Sequence, residues 1–131
     1  MAILGIGHDV VDVRAFGEQL EMPGSRGRGL FSARELRQVQ LRAGRKNDGE
    51  AVHLAGKWAA KESVVKAWCA ALGSGPAPYT LDNTPWAAIE VLDEANGCPR
   101  IVLGGEAERR LRASVGTPDG VDLCWFVSIS H

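Results

Sequence analysis

Cysteine is scarce in this 131-residue chain: Cys69, Cys98 and Cys124 are odd in number, widely separated and set among apolar residues. Such a set builds no disulfide framework, and no C-x-x-C pair offers half of a zinc site. All three read as buried thiols. Long apolar runs are also missing, and none approaches the roughly 18 residues that a membrane span needs. The start, Met1-Ala2-Ile3-Leu4-Gly5-Ile6-Gly7, has neither the basic opening nor the apolar stretch of a secretory signal. The expected location is therefore cytoplasmic, with no membrane partner. Excess charge of one sign is lacking too: 15 basic and 16 acidic residues leave a net charge of −1. No global field draws nucleic acid to the chain. There are no repeats, low-complexity tracts or inter-domain linkers. With 45% hydrophobic and 24% charged residues, the composition is that of one globular domain spanning 1–131.

What charge there is lies unevenly. Between Arg26 and Lys46 stand seven basic residues (Arg26, Arg28, Arg34, Arg37, Arg42, Arg45 and Lys46) against one acidic residue, Glu35. From Asp82 to Asp122 the balance reverses, with eight acidic and four basic. A basic surface of this kind suits an acidic partner, and it equally suits a solvated helix face.

Residues 3–13 alternate as a strand: Ile3, Gly5, Gly7, Asp9, Val11 and Val13 on one side, Leu4, Ile6, His8, Val10 and Asp12 on the other. Both sides are largely apolar, which predicts a central strand. Gly7 leaves space beside Asp9; a carboxylate there can also cap a turn. Gly5-x-Gly7 lacks the third glycine and the following helix of a dinucleotide fingerprint. Residues 14–29 read as irregular. Ser32 with Glu35 forms a capping box that opens a helix, 44–50 form a polar break, and a long helix runs from about 51 to 72 into the stop Gly73-Ser74-Gly75-Pro76. Ala88–Leu92 and Arg100–Leu103 are strands joined through Asn96-Gly97, Glu106–Val115 is a short helix, and Val121–His131 is a last strand. Hairpins outweigh βαβ units, so the expected fold class is α+β, with an antiparallel sheet packed on a long central helix and shorter helices.

The long helix carries an anomaly. At 100° per residue, Leu54, Trp58, Val65, Cys69 and Leu72 fall within roughly 60° and predict its core stripe. Glu62 projects only about 40° from Trp58, and Lys61 lies between Leu54 and Trp68. A carboxylate pushed toward a core needs a partner. Lys66, one turn on, and a metal ion are both candidates. A plain i, i+4 surface pair of Glu62 with Lys66, and a Lys61 that lifts its ammonium into water, remain open beside them.

Three segments then resemble a known family. Gly5-Ile6-Gly7-His8-Asp9-Val10-Val11 resembles the G-x-G-x-D-[IV]-[VTE] opening of bacterial holo-[acyl-carrier-protein] synthases. Trp58-Ala59-Ala60-Lys61-Glu62-Ser63-x-x-Lys66-Ala67 resembles the [FW]-[AS]-x-K-E-[AS]-x-x-K-A signature of the wider 4′-phosphopantetheinyl transferase superfamily. Val127-Ser128-Ile129-Ser130-His131 resembles the synthases' V-S-[IL]-[ST]-H strand, and Phe31-Ser32-x-x-Glu35 their F-[TS]-x-x-E helix start. Order, spacing and length all fit.

The resemblance implies an enzyme that moves the 4′-phosphopantetheine arm of coenzyme A to a serine of an apo acyl carrier protein. Adenosine 3′,5′-bisphosphate is released, in the service of fatty acid biosynthesis. It implies Mg²⁺, with Mn²⁺ as a substitute, on Asp9 and Glu62. Lys66 would lie at the pyrophosphate, and the catalytic set would be Asp9, Glu62 and Lys66. Lys57, Lys61, Lys66, Gly73, Ser74, Ser130 and His131 would contact coenzyme A, together with Ser128. The serine proton would pass to Glu62 or to a metal-bound water. A homotrimer with its active site between neighbours is implied, with Arg14, Arg26, Arg28, Arg34 and Arg37 docking an acidic carrier. Family members continue past the position of His131 with a further strand, so the chain is expected to end one strand short, which would expose a sheet edge. Two other readings stay open. One is a non-catalytic coenzyme A or nucleotide-binding module of the same fold; the other is a metal-dependent coenzyme A phosphohydrolase.

Overall fold

The computed structural model describes residues 2–117 and 120–131. Helix α1 spans Val13–Glu21, α2 Ala33–Lys46, α3 Glu50–Leu72 and α4 Gly105–Val115; strands β1 (Ile89–Asp93) and β2 (Pro99–Leu103) form an antiparallel pair. Short 3₁₀ turns stand at Gly27–Leu30 and Trp86–Ala88. No helix among the described residues is long and apolar enough to cross a membrane.

Local chemistry accounts for most boundaries. Ser32 and Glu35 complete both halves of the capping box at the start of α2. Asn47, left-handed at φ 53°, closes it, and Gly73 at φ 58° ends α3. The hairpin turns at Gly97, φ 85°, where the Cys98 N–H donates to Asn96 Oδ1 at 2.9 Å.

Several expectations are corrected. Residues 14–29 are not irregular throughout, because Asp12 caps α1 by accepting from the Ala15 N–H at 2.9 Å. Residues 3–12 are not a central strand but an extended, unladdered segment. The predicted alternation holds from Leu4 to Val11 and fails at its ends: Gly5, Gly7, Asp9 and Val11 are half-buried and Leu4, Ile6, His8 and Val10 exposed, but Ile3 and Val13 are exposed too. The half-buried side lies on α3. A Cβ on Gly5 would stand 2.1 Å from the Ala67 carbonyl oxygen, and one on Gly7 2.2 Å from that of Ser63. Both glycines thus serve close approach to a helix, not open space. The last segment is likewise extended but outside the ladder, with Trp125, Val127 and Ile129 packed against Ala60, Val64, Ile89, Val91 and Ile101. Of the three thiols, Cys69 is half-buried while Cys98 and Cys124 are exposed, one in the hairpin turn and the other on the outward side of the last segment.

The sheet stays two-stranded on the β1 side for a physical reason. Side chains occupy the backbone groups that a third strand would use. Glu35 accepts from the Val91 N–H (2.9 Å). Gln38 accepts from the Asp93 N–H (2.8 Å) and donates to the Asp93 carbonyl (3.1 Å). Lys57 and Lys61 donate to the Val91 and Ile89 carbonyls, each at 2.5 Å. These bonds block an edge that would otherwise invite pairing.

They also turn α3. Its buried residues are Leu54, Ala55, Lys57, Ala60, Lys61, Val64 and Trp68, a face rotated by roughly 70° from the predicted stripe. Two lysines sit inside, so the lysine-bearing side faces the core and Trp58, Val65, Cys69 and Leu72 are only half-buried.

Candidate active site

The segment 3–12 brings Asp9 to α3, where Lys66 Nζ donates to Asp9 Oδ1 at 2.7 Å and to the His8 carbonyl at 3.3 Å. Glu62, one turn before Lys66, and Asp9 line the same cleft of about 300 Å³, together with Val10, Val11, Asp12, Ala15, Phe16, Gln19 and Trp58. Burial pushes the Glu62 carboxyl above the ordinary glutamate range; the Asp9 charge adds to this, and Lys66 opposes it. The hydrogen bond to Asp9 holds the exposed Lys66 ammonium above the ordinary lysine range. A half-buried carboxylate whose ionised form a second carboxylate destabilises is a natural place for a divalent cation. The donors are hard oxygens, and among the described residues no cluster of three or more metal-ligating side chains surrounds them. That suits Mg²⁺, which takes one or two carboxylates and leaves its other positions to water and phosphate.

The other expected residues are dispersed. Lys57 and Lys61 are buried and face away from the cleft. Lys61 spends its three donors on Glu35 (2.7 Å), the Trp86 carbonyl (2.8 Å) and the Ile89 carbonyl (2.5 Å). Lys57 holds the Val91 carbonyl and lies 3.7 Å from Asp93. Neither is placed to meet a phosphate, and burial pulls both ammoniums below the ordinary lysine range, Glu35 and Asp93 opposing. The missed signal was Glu35: the capping-box residue is also the lysine's partner, wholly buried at 0% exposure.

Gly73 and Ser74 are exposed at the end of α3, and Ser130 is exposed on the last segment. The His131 ring lies over Gly56, where a Cβ would come within 3.2 Å of it. Gly56 and Gly73 are 17 residues apart on one helix, about 25 Å. His8 is exposed on the side opposite Asp9. Of the five arginines expected to dock a partner, all exposed, Arg14 pairs with Glu18, Arg28 with Glu50 and Arg34 with Glu90. Arg26 and Arg37 form no ion pair among the described residues.

Comparison with known proteins decides the family. The model of the 4′-phosphopantetheinyl transferase superfamily matches residues 5–125. The chain belongs to that superfamily. It is 60% identical to a holo-[acyl-carrier-protein] synthase of Bifidobacterium animalis subsp. lactis, over 98% of this chain and 90% of that one. A synthase of the same description from Bifidobacterium adolescentis is 52% identical over the same shares. Among solved structures, the acyl carrier protein synthase–coenzyme A complex of Chronobacterium ammoniagenes superposes with a TM-score of 0.75 at 38% identity, covering 84% of this chain and 78% of that one. The α+β architecture is therefore that of the family, and the chain is an enzyme of the phosphopantetheinyl transferase class.

Proposed function

We propose that the chain transfers 4′-phosphopantetheine from coenzyme A to a serine of an apo acyl carrier protein, giving holo carrier protein and adenosine 3′,5′-bisphosphate, in fatty acid biosynthesis. The observation that carries this reading is the meeting of Asp9 and Glu62 in one cleft, with Lys66 bonded to Asp9, in a chain 60% identical to a holo-[acyl-carrier-protein] synthase. The coenzyme A of the related complex supports coenzyme A as donor.

The reaction forms a bond between the serine oxygen and the phosphorus bearing pantetheine, and breaks that phosphorus's bond to the bridging oxygen. The leaving bisphosphate takes the electron pair. Asp9 and Glu62 would hold Mg²⁺ (or Mn²⁺), which when bound neutralises charge on the phosphate oxygens. Lys66, kept protonated by Asp9, adds positive charge beside the leaving group. Glu62, whose carboxylate lines the cleft, is the candidate acceptor for the serine proton. The nucleophile belongs to the carrier, so no internal serine–histidine pair is needed.

The basic surface from Arg14 to Arg37 would dock the acidic carrier, and Arg26 and Arg37, which form no ion pair among the described residues, are placed to meet its carboxylates. A homotrimer accounts for the dispersed coenzyme A residues: with Gly73 and Ser74 at one end of α3 and His131 near the other, a neighbour's Ser130 and His131 would complete the site.

The test is intact-mass spectrometry of an apo carrier incubated with the chain, coenzyme A and Mg²⁺. A gain of about 340 Da, one phosphopantetheine arm, that EDTA abolishes is the expected outcome. Release of free phosphopantetheine would favour a phosphohydrolase, and binding without turnover a non-catalytic module.

A further inference from the structure

Resting on that reading, we propose that Lys61 and Glu35 are positioning residues for the transfer. Their buried pair, tied into β1, fixes the rotation of α3 about its axis and so sets Glu62 against Asp9. Both residues are 0% exposed, and neither meets the cleft. Lys61 binds Glu35 on α2, the Trp86 carbonyl on the 3₁₀ turn and the Ile89 carbonyl on β1. Glu35 in turn accepts from the Val91 N–H at 2.9 Å and from the Ser32 N–H at 2.9 Å. One ion pair thus joins α2, α3, the turn and β1.

Apolar packing limits the angle of α3 only to the tolerance of its side-chain contacts, because the hydrophobic effect itself has no direction. Three N–H···O bonds from one ammonium do have direction. Lys57, one turn earlier, adds a second point through the Val91 carbonyl. Glu62 is the next residue after Lys61, about 100° around the helix. Its carboxylate stands about 6 Å from the helix axis, so a 10° rotation moves it by about 1 Å. Displacements of that size cost roughly 10²-fold in rate.

Removing Lys61 alone would strand a buried carboxylate, so the informative variant is E35L/K61M, which replaces the pair by apolar groups of similar size. E35Q is the second variant. On the full chain, the readouts are thermal unfolding, kcat and KM for coenzyme A, Mn²⁺ binding by electron paramagnetic resonance without coenzyme A, and nuclear Overhauser contacts between Gly7 and Ser63. The expected result is cooperative unfolding with KM within about threefold of wild type, kcat down by about 10²-fold for the double variant and about tenfold for E35Q. Mn²⁺ affinity should fall by about tenfold as the carboxylates diverge. A folded variant with wild-type kcat and Mn²⁺ affinity overturns the proposal. So does failure of both variants to fold, which would make the pair a requirement of folding alone. A wild-type chain inactive on every carrier strikes the functional reading only, since the Mn²⁺ ratio and the Gly7–Ser63 contacts still decide the positioning role.

Discussion

Glu62 and Glu90 are perturbed in opposite directions, and their pH signatures separate. Glu62 holds its proton more tightly in the folded chain than in the unfolded one, because burial and Asp9 disfavour its charge. Its contribution to stability is present at acid pH and lost as pH rises from the ordinary glutamate value toward the raised one. Without metal at neutral pH, Glu62→Gln should therefore be at least as stable as wild type, and with Mg²⁺ present it should lose about 10³-fold or more in kcat. Added Mg²⁺ should raise the melting temperature of wild type and not of the variant. Calorimetry with and without Mg²⁺ checks this. Glu90 accepts from Arg34 Nε and Nη2 and from Ser32 Oγ at 2.6 Å, and the Arg34 hydrogen bond leads in holding its carboxyl below the ordinary range. Its stabilisation is present above the ordinary value and lost as pH falls through the lowered one. Glu90→Gln should flatten that acid limb, read as chemical denaturation at pH 3 to 6.

At the scale of elements, the hairpin, the capping box and three of four helices were legible because each rests on local chemistry: Asn96-Gly97, Ser32 with Glu35, Gly73 after a long helical run. The catalytic candidates were legible through motif spacing. What was hidden depends on contacts distant in sequence. Alternation in 3–12 looked like a strand because a segment lying in a helix groove has the same period of two. The core face of α3 was misplaced because lysines count as polar until a buried Glu35 and three carbonyls are seen around them. The glycines of the first segment give the direct test. Gly7→Ala drives a methyl toward the Ser63 carbonyl at 2.2 Å and should lift Asp9 from α3. Transfer should fall by more than tenfold, with a stability loss of about 1–3 kcal/mol. Gly44→Ala, in the interior of α2 with nothing within 4 Å, is the control; it should stabilise by about 0.5–1 kcal/mol and leave transfer untouched. Urea denaturation and the mass assay read both.

At the scale of the molecule, the apolar surface lies in the wrong place for a lone chain. Ile3 is 79% exposed, Ile6 75%, Val10 85% and Phe126 85%, all on the two extended segments that join no ladder. Open backbone beside exposed apolar side chains is a surface that association would cover. If the proposed homotrimer forms there, each site takes Asp9, Glu62 and Lys66 from one chain and His131 from its neighbour. Complementation then follows. Glu62→Gln and His131→Ala should each be nearly inactive alone. Co-expressed in equal amounts, they assemble at random, and each site draws one half from each of two chains. Both halves are intact in about a quarter of sites. Activity should recover to about a quarter of wild type, in a species of three chains by light scattering. A site complete within one chain leaves every protomer carrying its own defect, so the mixture would stay as inactive as its components.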